Sequence, residues 1–338
     1  RPPSSSTSSG AHCCAHRSEV HMEELHFPRG YTRNILRACE RGERKYCHTA
    51  DTSGREPAHC VYHIGGVEVA VQELQVAQGG LGWRVWVGGL ILAEWLAAHA
   101  DSLRDASVLE LGSGLGLPGL VASQLGARSV AMSDCLEPLV RNLELNVRLN
   151  ASRVPASTRV RVCAVDVRAA LGKAGQAVSS HRTMEETVDE RHGFGENTDW
   201  LRPDEQFDVV IGSEILYEKY HARTMADAVA AHLRRPTPTA DSATPDSTAS
   251  RPPRAYIMYV NRDDRFLCTD GILWGFVRTA QKHGLAVRIT ACRQRTRGPL
   301  SVVFAPQDPP AETERVRASV ASVTGDDDVH LALLTLSW

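Results

Sequence analysis

The sequence predicts a doubly wound α/β fold on a mainly parallel sheet. Three observations carry this expectation. Strand-like runs alternate with helix-length segments from about residue 79 onward, a glycine cluster follows the first of those runs, and an acidic residue closes the next one.

The alternation reads in order along the chain. Ahead of it, Val61, Ile64, Val67, Val69 and Val71 flank Gly65-Gly66, which predicts a hairpin within a lead-in at 61–78. Leu92, Trp95 and Leu96 share helical spacing and predict a helix over 88–99. Ser107–Leu111 reads as a buried strand, 117–125 as a helix and 128–133 as a second strand. Leu136, Leu139, Val140, Leu143 and Val147 give the next helix one apolar face. Strands follow at 160–165, 207–211 and 255–260, helices at 221–233 and 271–283, and late strands at 285–291 and 329–336. Two insertions, 172–205 and the Pro/Thr/Ser-rich 234–254, lack periodicity and are expected to protrude as loops. Residues 1–60 are polar and aperiodic and read as a mostly disordered extension, leaving 79–338 as the main domain.

Composition narrows the function. Of 338 residues, 42% are apolar and 23% charged, enough apolar content for a sizeable core. The 38 Lys+Arg stand against 40 Asp+Glu, so there is no basic excess to suggest a nucleic-acid partner. The longest apolar runs are cut by Glu94, Glu110 or Glu214, so no bilayer-spanning segment is expected. Nine cysteines without a CxxC pair fit reduced thiols, and the expected compartment is cytoplasmic, with organellar targeting open. Cys47-His48 with His59-Cys60 and His63 lacks ligand spacing for zinc, so no metal is expected. The first residue is Arg1, which reads as a fragment or a processed form.

The chemistry concentrates in 108–119, VLELGSGLGLPG, where a strand runs into a glycine turn and then a helix. Gly112, Gly114 and Gly116 allow positive φ and a ligand's close approach to bare backbone. Asp134, closing the second strand, is placed to accept hydrogen bonds from ribose hydroxyls, so a nucleoside-containing cofactor is expected. Gly114-x-Gly116-x-x-Gly119 matches the dinucleotide fingerprint in letters. Glu110, however, would set an unneutralised charge against a pyrophosphate, whereas it would attract a cationic amino-acid tail and a sulfonium. The expected cofactor is S-adenosylmethionine, with Glu110 on its amino group.

VLELGSGLGLPGL, SDC, NLELNVRLN and FDVVIGSEILYE together resemble the class I, seven-strand methyltransferases with their Rossmann-like sheet. Within these the chain resembles methyltransferase family 16, which contains many protein-lysine methyltransferases. Gly82 and Trp86 fit that family's Gly-x-x-x-Trp mark, 110–119 its glycine motif, and Glu214-Ile-Leu-Tyr217 its acidic-x-x-aromatic tetrapeptide. LAEWL and SDC also resemble elongation-factor-2 lysine methyltransferases. The resemblance implies a lysine of a protein substrate as methyl acceptor. It places Trp86, Ser213, Asp166 and Val167 beside the cofactor with the glycines and Asp134, and Glu214 and Tyr217 at the acceptor, with Asn261-Arg262 as a further rim contact. Two departures stand out: Glu214 occupies a position that is usually Asp, and Asp166-Val167 stands where the family often has Trp. Asp166 would then accept from the adenine amine. The rival readings are a methyltransferase for a small molecule or a non-lysine side chain, an NAD-dependent oxidoreductase, and a binding protein without catalysis.

Overall fold

The computed structural model describes residues 20–21, 59–165, 194, 198–236, 251–260, 263–264, 267–268, 271–292, 300–304 and 331–338. Most of the predicted extension, Asp166, Val167, Asn261, Arg262 and the middle of both insertions lie outside them.

The hairpin forms as β1 (His59–Ile64) and β2 (Val67–Gln72), turning on Gly65 and Gly66, both at positive φ. Then follow α1 (Val87–Ala98), β3 (Ser107–Leu111), α2 (Leu117–Gln124), β4 (Ser129–Asp134), α3 (Glu137–Asn150) and β5 (Arg159–Ala164). The second half adds β6 (Val209–Ser213), α4 (His221–His232), β7 (Arg254–Val260), α5 (Ile272–Lys282), β8 (Ala286–Cys292), β9 (Leu300–Phe304) and β10 (Leu331–Ser337). Each predicted helix and strand of the main domain is present, with ends moved by one to three residues.

The sheet has nine strands where seven were expected. Its order is 20–21, β9, β8, β10, β7, β6, β3, β4, β5. From β7 to β5 every pairing is parallel, and β10 lies antiparallel between β7 and β8. The two additions sit at one edge, where β9 pairs antiparallel with β8 and Val20–His21 pairs with β9. Both are short and isolated in sequence, so neither shows periodicity long enough to signal a strand.

Strand alternation divides the core between the two sheet faces. Leu109, Leu111 and Val210 face α4 and α5, whereas Val108, Val209 and Ile211 face α1 and α2. Ala77–Ala98 is apolar enough by composition to cross a membrane. Its helix α1, however, has 12 residues, about 18 Å of length, and buries Leu90, Ile91, Leu92 and Leu96 in the core.

The lead-in hairpin is fastened by side chains that imitate a strand edge. On α3, Asn150 accepts from the Ala70 N–H at 2.9 Å and donates to the Ala70 carbonyl at 2.6 Å. One turn earlier Asn146 accepts from the Gln72 N–H and donates to the Leu115 carbonyl, and Asn142 donates to the Gln72 carbonyl. These asparagines, at i, i+4 and i+8, satisfy the free edge of β2 inside the protein.

The described end of the first insertion, 198–205, does not protrude as expected. Trp200 bridges to Ala164, and Leu201 is buried in the core beside β5. Arg161 bonds Asp199 at 3.0 Å and pairs with Glu205 at 2.5 Å. The end of this segment therefore covers the edge of β5, which would otherwise leave ladder groups unpaired.

Candidate active site

Parallel strands leave their carboxyl ends side by side, and the crevice beyond them is where open α/β sheets bind ligands. The cavity lies there. Its walls come from the 81–86 loop and Gly89, the 111–118 turn, 134–136, Val165, 213–217 and α4.

The glycine wall is set by backbone geometry. Gly112, Gly114 and Gly116 have φ of 60°, 53° and 81°, and all three line the cavity. A side chain at Gly116 would meet Leu143 and Met132. Asp134 staples this turn to the end of β4: Oδ2 accepts from the Gly114 N–H at 2.9 Å and Oδ1 from the Cys135 N–H at 2.8 Å. Its carboxylate also lines the cavity. An anionic acceptor beside exposed backbone is a donor-and-acceptor set that fits the ribose of a nucleoside.

Glu110 is not part of this wall. In β3 it points to the α1/α2 face, beneath α2, where its Oε2 accepts from the Gly119 N–H at 3.2 Å. It is 1% exposed and does not line the cavity. Burial pushes its carboxyl up to about 8, against the lowering effect of hydrogen bonds from Ser113 and Gly119. It is thus mainly neutral at pH 7 and holds the helix entrance together. The expectation that it binds a cofactor's amino group, and the charge argument built on it, are both corrected by strand alternation.

The adjoining wall, beyond the neighbouring strand β6, is built around Glu214. This residue is in the left-handed region, φ 54°, which is uncommon for a side chain with a Cβ. Two contacts hold it there. Its N–H donates to the Met258 carbonyl at 2.9 Å, and its Oε1 accepts from the Gly88 N–H at 2.5 Å. A carboxylate in the first turn of α1 also meets the positive end of the helix dipole. Gly88 is needed for this approach, because a Cβ there would come within 2.6 Å of the Glu214 Cγ. Glu214, Ser213 and Tyr217 all line the cavity.

Trp86 belongs to the cavity rather than the core. It precedes α1, its indole N–H donates to the Leu81 carbonyl, and the Arg84 guanidinium lies over its ring at 4.3 Å. The sequence reading missed Arg84, Tyr220 and His221, which line the same cavity. His221 packs between two tyrosines, with ring centroids 4.3 Å from Tyr217 and 4.2 Å from Tyr220. A recognisable signal was present, since His221, Thr224, Met225 and Ala228 follow i, i+3, i+4, i+7 on one face of α4.

The structure thus joins Trp86, Gly112, Gly114, Gly116, Asp134, Ser213, Glu214 and Tyr217 around one cavity and leaves Glu110 outside it. Residues 67–171 match the family described as lysine methyltransferase. The resemblance to methyltransferase family 16 holds across this stretch, which contains the glycine turn, Asp134 and the asparagine ladder. The mouse protein-lysine methyltransferase METTL21E is 36% identical over 91 residues, 26% of this chain and 35% of that protein. The human protein-lysine N-methyltransferase EEF2KMT is 29% identical over 154 residues, covering 45% and 41%. The Xenopus laevis histone-arginine methyltransferase METTL23 is 35% identical over 85 residues, covering 24% and 36%. The aligned stretches span only about a third to two fifths of the length of these relatives.

Proposed function

We propose that the chain is an S-adenosylmethionine-dependent methyltransferase that modifies a lysine side chain of a protein. The observation that carries this reading is the meeting of two walls in one cavity. One consists of a glycine turn and Asp134, suited to a nucleoside; the other of Glu214 and Tyr217, in the acidic-x-x-aromatic arrangement. The match of 67–171 to the lysine methyltransferase family supports the same reading. Strand order weighs against a dinucleotide oxidoreductase, since antiparallel β10 interrupts the parallel order such folds use.

Asp134 would hold the ribose, the 112–116 backbone the amino-acid end, and Trp86 would cover the cofactor from the 81–86 loop. Bound adenosylmethionine supplies an activated methyl group on a sulfonium, a good leaving group. The work left to the chain is placement, which accounts for much of the rate in such transfers. The acceptor amine must arrive neutral, and a free lysine has its pKa near 10.4. Tyr217 offers an apolar wall that disfavours the ammonium, and the anchored Glu214 carboxylate orients the amine toward the methyl. Among the described residues Cys60, Cys135 and Cys163 form no disulfide, which suits a reducing compartment such as the cytoplasm.

Incubation with methyl-labelled adenosylmethionine and a cell lysate, followed by acid hydrolysis, tests the assignment. Label in methyl-lysine of protein is expected. Label in methyl-arginine or only in small molecules would move the acceptor to the rival class, and no transfer would contradict the reading as a whole.

A further inference from the structure

His221 is 4% exposed and lines the cavity, yet the chemistry proposed above does not use it. Its Nδ1 accepts from the Glu218 N–H at 3.1 Å. That bond occupies the Nδ1 lone pair and places the ring proton on Nε2. Nε2–H has no hydrogen-bond partner among the described residues and is not sealed in the core, so it remains available at the cavity wall. The rings of Tyr217 and Tyr220 fix its plane. A fixed donor at a cavity wall adds affinity and selectivity for a ligand atom that accepts from it.

The surroundings say which ligand atom. His221, Thr224, Met225 and Ala228 form the cavity-facing side of α4, and Val165, at the end of β5, lines the same cavity. Met225, Ala228 and Val165 are apolar and partly buried. β5 is the neighbour of β4, which ends in Asp134. A nucleoside held by its ribose at Asp134 therefore extends its base past Val165 toward this face of α4. A planar heterocycle with apolar faces and acceptor nitrogens on its edge suits an apolar slot with one fixed N–H at its rim.

We infer that His221 reads the adenine of the cofactor, donating from Nε2–H to a ring nitrogen and so selecting the base. This rests on the cofactor reading above and extends it to a base-recognition residue. Burial lowers the imidazole pKa to about 3, so the ring presents the same single proton across the physiological range. An uncharged donor also adds no repulsion toward a sulfonium, as a protonated histidine would.

The test titrates adenosylhomocysteine and its 1-deaza, 3-deaza and 7-deaza analogues into the wild-type chain, His221→Phe and His221→Gln. In the wild type one analogue, lacking the nitrogen that is read, should bind about three- to tenfold more weakly than the parent. His221→Phe keeps a ring without the donor and should bind all four compounds alike. His221→Gln sets an amide N–H near the place of Nε2 and should retain part of the discrimination. Equal binding of all four by the wild type overturns the inference, and that arm stands without either variant. So does undiminished discrimination in His221→Phe, or a His221→Phe effect confined to KM for the acceptor. If the wild type binds none of the four, the cofactor reading falls and takes this inference with it, whereas the other failures leave that reading intact.

Discussion

The two walls of the cavity are held by different physics. On the glycine wall, backbone is fixed to backbone and to one carboxylate: positive φ at 112, 114 and 116, with Asp134 tied to the Gly114 and Cys135 amides. On the Glu214 wall the groups being positioned are side chains: a left-handed glutamate held by the Gly88 N–H and the Met258 carbonyl, and a histidine packed between two tyrosines. The first kind of order needs particular residue types at particular spacings. The second can be met by many combinations, so it leaves a fainter trace in the sequence.

This difference predicts how the two walls fail, and the largest effect belongs to the glycine wall. Gly116→Ala forces a Cβ against Leu143 and Met132 at φ 81° and should abolish adenosylhomocysteine binding, with a loss of about 2 kcal/mol or more of stability. Retained binding in calorimetry would show that the turn tolerates a side chain and is not the cradle.

Next in size is Gly88→Ala, which pushes Glu214 off its amide without touching the glycine wall. We expect methyl transfer to fall by about ten- to a hundredfold, 1–3 kcal/mol in barrier, while cofactor affinity stays within about twofold. Glu214→Gln keeps the shape and should give a smaller loss of the same kind. A parallel loss of cofactor affinity in both would mean that the two walls are one site.

Glu110 sharpens the comparison by belonging to neither wall. Its folded carboxyl titrates at about 8, above its unfolded value, so the native state binds the proton more tightly. Its contribution therefore favours the native state at low pH and is lost as pH rises from about 4.5 to 8. Glu110→Gln should flatten that fall and gain about 1–3 kcal/mol at pH 8 relative to the wild type, read from denaturant melts at pH 5 and 8. Adenosylhomocysteine affinity should be unchanged. Weakening by more than about fivefold would restore Glu110 to the cofactor.

The smallest effect is expected from Tyr217→Phe. It keeps the ring that packs on His221 and should change turnover by about threefold or less, whereas Tyr217→Ala opens the wall and should cost more. Steady-state rates at saturating adenosylmethionine separate the two.

How much the sequence revealed follows the same division. Regular elements were legible because apolar periodicity is local, as in 136–147. β9 was not, since a five-residue edge strand gains its structure from pairing with β8. Gly112, Gly114, Gly116 and Asp134 were legible because the turn admits few other residues. Glu110 misled because a residue's place beside a motif says nothing about which sheet face it takes until its neighbours are known. NLELNVRLN entered only as part of the family resemblance, because the work of its asparagines on β2 depends on an element seventy or more residues away. His221 carried a signal in the spacing of 221, 224, 225 and 228 that was passed over, whereas Arg84 and Tyr220 became visible only once their segments were brought to one crevice.

Asp134 is the point on which the account turns, since the ribose contact proposed there would orient everything else in the cavity. The most direct measurement is calorimetric titration of adenosylhomocysteine into the wild type and Asp134→Asn, which removes the charge and leaves one acceptor oxygen where two now hold the Gly114 and Cys135 amides. The account predicts binding by the wild type and affinity weakened by about ten- to a hundredfold in the variant, 1–3 kcal/mol for a charge-assisted pair, with a melting temperature lowered by the lost amide contact but a folded protein. Equal affinity in a folded variant, or no binding by the wild type, would contradict it.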